Sequence, residues 1–209
     1  MAKVLVGVTG SVAAIRTPDL TSRLRDAGHE VQVVATTSGA YFLDPAAVPC
    51  PVFRDADEWP PDGYHRGDRI LHIELRQWAE LFLIAPIDAN TLAKFAVGLA
   101  DNCLTCVWRA WHPDRPIVLA PAMNTLMWQH PFTRKHLRAI AADFGAGHIP
   151  GHLEGESLIQ QINDRARGFR IVGPITKTLA CGDTGIGAMA EPAEIVATVQ
   201  AMLPDSVNH

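Results

Sequence analysis

The chain alternates short apolar runs with stretches whose apolar residues recur at helical spacing. Residues 3–9 (KVLVGVT) are apolar on both faces and stop at Gly10-Ser11, which predicts a buried strand, a tight turn and a helix reaching Ala27 before the Gly28 stop. Thr17-Pro18-Asp19 reads as a cap with proline at the first helical position, so a kink or fresh start is expected inside that helix. Further strands are predicted at 30–36, 81–86, 116–120 and 169–172, and helices at 71–80, 89–99, through Trp111, at 132–144 and at 191–202. Residues 44–69, rich in Pro, Asp and Gly, read as a long loop with room for short helical turns, and 145–168 as a connection with room for one helix. Strands apolar on both faces, alternating with helices, predict an α/β fold with a mainly parallel sheet covered on each side.

Composition narrows the classes of function. With 209 residues and no linker-like break, a single domain spanning 1–209 is expected. The longest uncharged apolar runs, such as 81–86, fall far short of the roughly 18 residues that a membrane span requires. The start of the chain shows no leader pattern, and a cytoplasmic location is expected. A formal charge of −4, with basic residues scattered among acids, leaves no footprint for nucleic acid or anionic lipid and favours a small-molecule partner. Cys50, Cys103, Cys106 and Cys181 are too few and too irregular for a disulfide framework. Cys103-x-x-Cys106 lacks a second pair, and His148 and His152 flank Pro150-Gly151, so no metal site is expected.

The candidate chemistry lies at strand ends. A strand stopping at Gly10-Ser11 presents free backbone N–H groups to an anion, although Gly10 would also serve simply to permit the turn. The spacing matches neither the dinucleotide glycine pattern nor the Walker loop. Thr36, Thr37 and Ser38 end the second strand, and Asp88, Ala89, Asn90 and Thr91 follow the third. In an open parallel sheet these ends would share a crevice, while capping alone also accounts for Asn90 and Thr91. Asn124, in Pro121-Ala-Met-Asn124, is either a cap or a neutral clamp that both donates and accepts. Cys181 lies in a glycine-rich stretch, 178–190, that reads as a flap over a site, where a thiol is a candidate proton donor. His72 opens a helix, a setting that favours a neutral, proton-accepting ring.

Taken in order, Gly10-Ser-Val-Ala-Ala14, Leu71-His-Ile-Glu-Leu-Arg76, Ala85-Pro-Ile-Asp-Ala-Asn-Thr91, Asp101-Asn-Cys-Leu-Thr-Cys106, Pro121-Ala-Met-Asn-Thr-Leu-Met127 and Ala180-Cys-Gly-Asp183 resemble the homo-oligomeric flavin-containing cysteine decarboxylases over nearly the whole chain. The resemblance implies a Rossmann-like three-layer sandwich, a trimeric unit and FMN near a subunit interface. It further implies that Gly10, Ser11, Thr36, Ser38, Asp88, Ala89, Asn90, Thr91 and Ala122 line FMN. Asn124 and Ala180 would then contact substrate, His72 would be the base and Cys181 the proton donor.

The chemistry so implied is transient oxidation of a cysteine thiol to a thioaldehyde, which makes loss of the adjacent carboxylate feasible and needs no metal. The implied substrate is 4'-phosphopantothenoylcysteine, on the way to coenzyme A. A peptidyl-cysteine decarboxylase and a non-catalytic phosphatase-regulating subunit are the alternatives. Asp88 stands where Ser or Thr is usual, placing a carboxylate beside an expected phosphate. Plant-type members carry Arg where this chain has Gln77 and Thr178, with Lys177 adjacent as a replacement cation.

Overall fold

The computed structural model describes residues 1–63, 65–178 and 184–203. In chain order the elements are β1 (Lys3–Val8), a 3-10 turn (Val12–Arg16), α1 (Thr17–Asp26), β2 (Glu30–Ala35), α2 (Thr37–Phe42), β3 (Val52–Arg54), α3 (Asp55–Glu58), α4 (Leu71–Trp78), β4 (Leu81–Ile87) and α5 (Ala89–Val97). They continue as α6 (Cys103–Arg109), β5 (Ile117–Pro121), α7 (Thr125–Gln129), α8 (Pro131–Asp143), α9 (Gly155–Arg165), β6 (Phe169–Ile171), β7 (Ile175–Thr178), β8 (Thr184–Ala188) and α10 (Pro192–Met202). The fresh start at Pro18 is real: the 3-10 turn gives way to α1 with proline in its first turn.

Six parallel strands form one sheet in the order β3-β2-β1-β4-β5-β6. Both faces are buried because successive residues of each strand point to opposite sides. Leu5, Phe82, Ile84 and Leu119 pack beneath α4, α6 and α8, whereas Val4, Val6, Leu83 and Val118 pack beneath α1 and α10. This is the expected Rossmann-like three-layer sandwich. Strand order reverses between β1 and β4, and such a switch point opens a crevice at the carboxyl ends of the strands.

The strand β3 and the hairpin β7–β8 depart from the expectation, whereas the helix in 145–168 and the short helical turn in 44–69 meet it. Residues 44–69 contain β3 and α3, elements of three and four residues, too short for a hydrophobic period to mark. The connection at 145–168 holds a full helix, α9. Within 178–190, β8 pairs antiparallel with β7 in a two-stranded sheet of its own. Among the described residues, no helix is long and apolar enough to cross a membrane.

Candidate flavin and active site

The ends of β1 and β4 are stapled by Thr9. Its backbone N–H and its hydroxyl both donate to the Pro86 carbonyl, at 3.2 and 2.9 Å, and the hydroxyl accepts from the Asp88 N–H at 2.7 Å. The sequence reading passed over Thr9; a fully buried hydroxyl closing an apolar strand was the available signal. The next residue must be glycine. A Cβ on Gly10 would stand 2.7 Å from the Ser38 Cβ and 3.0 Å from Asp88 Oδ2, so Gly10, Ser38 and Asp88 form one patch.

Three helical N-termini converge there. Ser11 accepts from Ala13 N at 3.3 Å, Thr36 from Gly39 N at 3.0 Å, and Asp88 from Thr91 N at 2.7 Å. Ala89 and Asn90 occupy the first turn of α5, with Thr91 buried behind them. The Asp88 carboxylate is thus committed to capping α5, which offsets its charge with a helix N-terminus. The crowding at Gly10 comes from Ser38 and Asp88 themselves, and the small and hydroxylic residues at these helix starts supply N–H and O–H donors of the kind that the phosphate of FMN requires.

Beside it lies a cavity of about 400 Å³ lined by Ser11, Arg16, Ala122, Asn124, Lys177 and Gly187, among others. Asn124 proves to be both cap and cavity wall: its Oδ1 accepts from Leu126 N at 2.9 Å to start α7. Strand β8 presses on this loop, with Met123 N donating to Gly187 O at 2.9 Å. Gly187 has φ 147°, and a Cβ there would fall 2.1 Å from the Met123 carbonyl oxygen. Two cations stand in the cavity wall. Arg16 and Lys177 both pair with Glu191, Arg16 at 3.1 Å, and these partners hold the Glu191 carboxyl below the usual carboxylate range. Thr178 also lines the cavity, and Gln77, on α4, does not.

His72 is not brought into that cavity within one chain. It begins α4 and faces Glu58 of α3, whose Oε1 lies 2.7 Å from His72 Nδ1 and whose Oε2 accepts from the His72 backbone N–H at 2.7 Å. Cys103 Sγ donates to the same carboxylate at 3.7 Å. Burial, with the Glu58 and Asp55 carboxylates, pushes the Cys103 thiol far above its ordinary range, so it stays protonated. Cys103 packs in the core while donating to Glu58, and the partly exposed Cys106 donates to the Ala100 carbonyl at 3.7 Å; no metal-holding cluster occurs among the described residues. Glu58 was missed because nothing local links it to a histidine fourteen positions away. Ala180 and Cys181 lie outside the described residues.

A flavoprotein family model matches residues 1–204. The chain belongs to the flavoprotein family. Phosphopantothenoylcysteine decarboxylase of Mus musculus is 47% identical over 202 residues, covering 96% of this flavoprotein and 87% of the mouse protein. The Oryza sativa subsp. japonica enzyme of the same name is 44% identical over 95% of this chain and 79% of its own length. Among solved structures, a PPC decarboxylase with a cysteine-to-serine substitution, complexed with pantothenoylaminoethenethiol, is 42% identical with a TM-score of 0.78, covering 96% of this chain and 97% of that one. The FMN-binding protein AtHal3 is 42% identical with a TM-score of 0.76, covering 100% and 99% respectively.

Proposed function

We propose that this flavoprotein is an FMN-dependent carboxy-lyase that converts 4'-phosphopantothenoylcysteine to 4'-phosphopantetheine in coenzyme A biosynthesis. The observation that carries the reading is the cavity that joins the Ser11 turn, Ala122, Asn124 and two cations, in a chain 47% identical to a decarboxylase of that substrate. Gly10, Ser11, Thr36, Ser38, the turn from Asp88 through Ala89 and Asn90 to Thr91, and Ala122 hold the cofactor. Bound there, FMN supplies a reversible two-electron acceptor that makes the carbon beside the substrate carboxylate able to release carbon dioxide.

The chain's own groups orient the substrate and move its protons. Asn124 holds the amide next to the reacting cysteine by donating and accepting without a fixed charge. Arg16 and Lys177 offer the spare donors that a phosphate monoester needs, because each uses only part of its donor set on Glu191. His72 takes the proton released in the first step, Cys181 returns one to the decarboxylated product, and Ala180 contacts substrate beside it. Since His72 does not line its own chain's cavity, a second copy supplies it in a homo-oligomer, which we take to be a trimer. Exposed Ile15, Leu126 and Phe132 around the site support such an assembly.

A peptide ending in cysteine is the competing substrate, but it carries no phosphate to meet the two cations. The test compares carbon dioxide release and thiol product from phosphopantothenoylcysteine, pantothenoylcysteine and a cysteine-ended peptide. The phosphorylated compound is expected to give saturated thiol with kcat/KM at least about tenfold above its dephosphorylated form, a difference of about 1.4 kcal/mol. No carbon dioxide from any of the three would remove the reaction, and turnover of the peptide alone would exchange one substrate for the other.

A further inference from the structure

Helix α4 starts at Leu71 behind Ile70, whose side chain makes no capping bond. The missing cap comes from elsewhere in the chain. Glu58 Oε2 accepts from the His72 backbone N–H at 2.7 Å, which is all that a cap requires. Its other oxygen does more: Oε1 lies 2.7 Å from the Nδ1 of the same residue's ring. An ionised carboxylate only accepts, so whenever the imidazole is neutral this contact favours the tautomer with its proton on Nδ1 and Nε2 as the acceptor. Only 6% of the Glu58 side-chain surface is exposed, against 23% for His72, so one edge of the ring is anchored in the protein while part of it reaches solvent.

The carboxylate is itself braced. Cys103 Sγ donates to Oε2 at 3.7 Å from the start of α6, and the neighbouring Asp55 accepts from the Cys103 N–H at 3.0 Å. The second Asp55 oxygen accepts from the Thr37 N–H at 3.2 Å and hydroxyl at 2.9 Å. Arg69, three residues before His72, pairs with Glu74 at 2.6 Å. Glu58 therefore accepts from Cys103 on α6 as well as from His72 on α4, beside an Asp55 fixed by Cys103 and Thr37.

We infer that Glu58 is the positioning residue for His72: it fixes the imidazole proton on Nδ1 and so presents Nε2 as the base. The inference rests on the reading of His72 as the base, and its test separates the two. In the holoenzyme, His72→Asn should abolish anaerobic reduction of the bound flavin by substrate. Glu58→Gln should slow that reduction by tenfold or more through kcat with little change in KM, while flavin content stays near that of the parent, and Glu58→Asp should recover part of the rate.

Nitrogen NMR of histidine-labelled protein gives a readout that a merely structural role would not move. The neutral His72 ring should carry its proton on Nδ1 in the parent and exchange between both nitrogens in Glu58→Gln. Full flavin reduction by His72→Asn would overturn the base. An unchanged rate and an unchanged tautomer in Glu58→Gln, with His72→Asn inactive, would overturn the positioning role alone.

Discussion

Asp88 shows how one residue is judged differently once its partners are known. Beside a cofactor phosphate its charge reads as a liability, yet Oδ1 accepts from Thr91 N at 2.7 Å and the carboxylate starts α5. Asparagine caps a helix about as well as aspartate but carries no charge. Asp88→Asn should therefore leave stability within about 0.5 kcal/mol and bind FMN as tightly as the parent or more tightly, whereas Asp88→Ala should lose about 1 kcal/mol with the cap. Quenching of flavin fluorescence on titration, set beside a thermal melt, checks both. Weaker flavin binding by the asparagine variant would mean that the carboxylate itself contacts the cofactor. The turn at Ser11 and the cap at Asn124 were legible before the structure because each needs only local geometry; Thr9 and Glu58 act through partners 77 and 14 positions away, which no local pattern reveals.

At the scale of elements, legibility followed length and period. β1, β4 and β5 were visible because a strand buried on both faces is apolar throughout. β3 was not, and α3, which carries Glu58, was foreseen only as an unplaced helical turn, since three or four residues complete no hydrophobic period. The β7–β8 hairpin was read as loop for a different reason: the glycines of β8 conceal its alternation. Those glycines have a structural role. Strand β8 lies so close to the loop bearing Asn124 that a methyl group on Gly187 would meet the Met123 carbonyl oxygen at 2.1 Å, at a φ of 147° that L residues avoid. Gly187→Ala should cost about 2 kcal/mol, a fall in Tm of roughly 4–8 °C, and should raise KM for substrate by moving Asn124. Calorimetry and steady-state kinetics measure the two effects. An unshifted Tm would show that the hairpin stands away from this loop in solution.

At the scale of the whole molecule, the strand order β3-β2-β1-β4-β5-β6 reverses between β1 and β4, and the crevice proposed for flavin lies at the carboxyl ends of these strands. Around that crevice the surface is apolar where a lone globule would be polar. Leu126 is 76% exposed and Phe132 58%, and together with Met127 and Ala89 they line a second cavity of about 300 Å³ next to the Asp88 turn. An apolar rim beside a cavity that the same chain's His72 does not line is what the proposed closure by another copy of the chain requires. Charge placed there should act on assembly before it acts on folding, because both side chains are already in water in the single chain. Leu126→Asp with Phe132→Asp should weaken association by at least about 100-fold, near 3 kcal/mol, and leave far-ultraviolet circular dichroism unchanged. Sedimentation should then move from a multiple of 22.7 kDa to the single chain. Activity should fall with the oligomer, since each cavity would lose the His72 brought by its neighbour, and mixing the charged variant with an assembly-competent His72→Asn chain should not restore it. Full activity from a variant that sediments as a monomer would place His72 in its own chain's site.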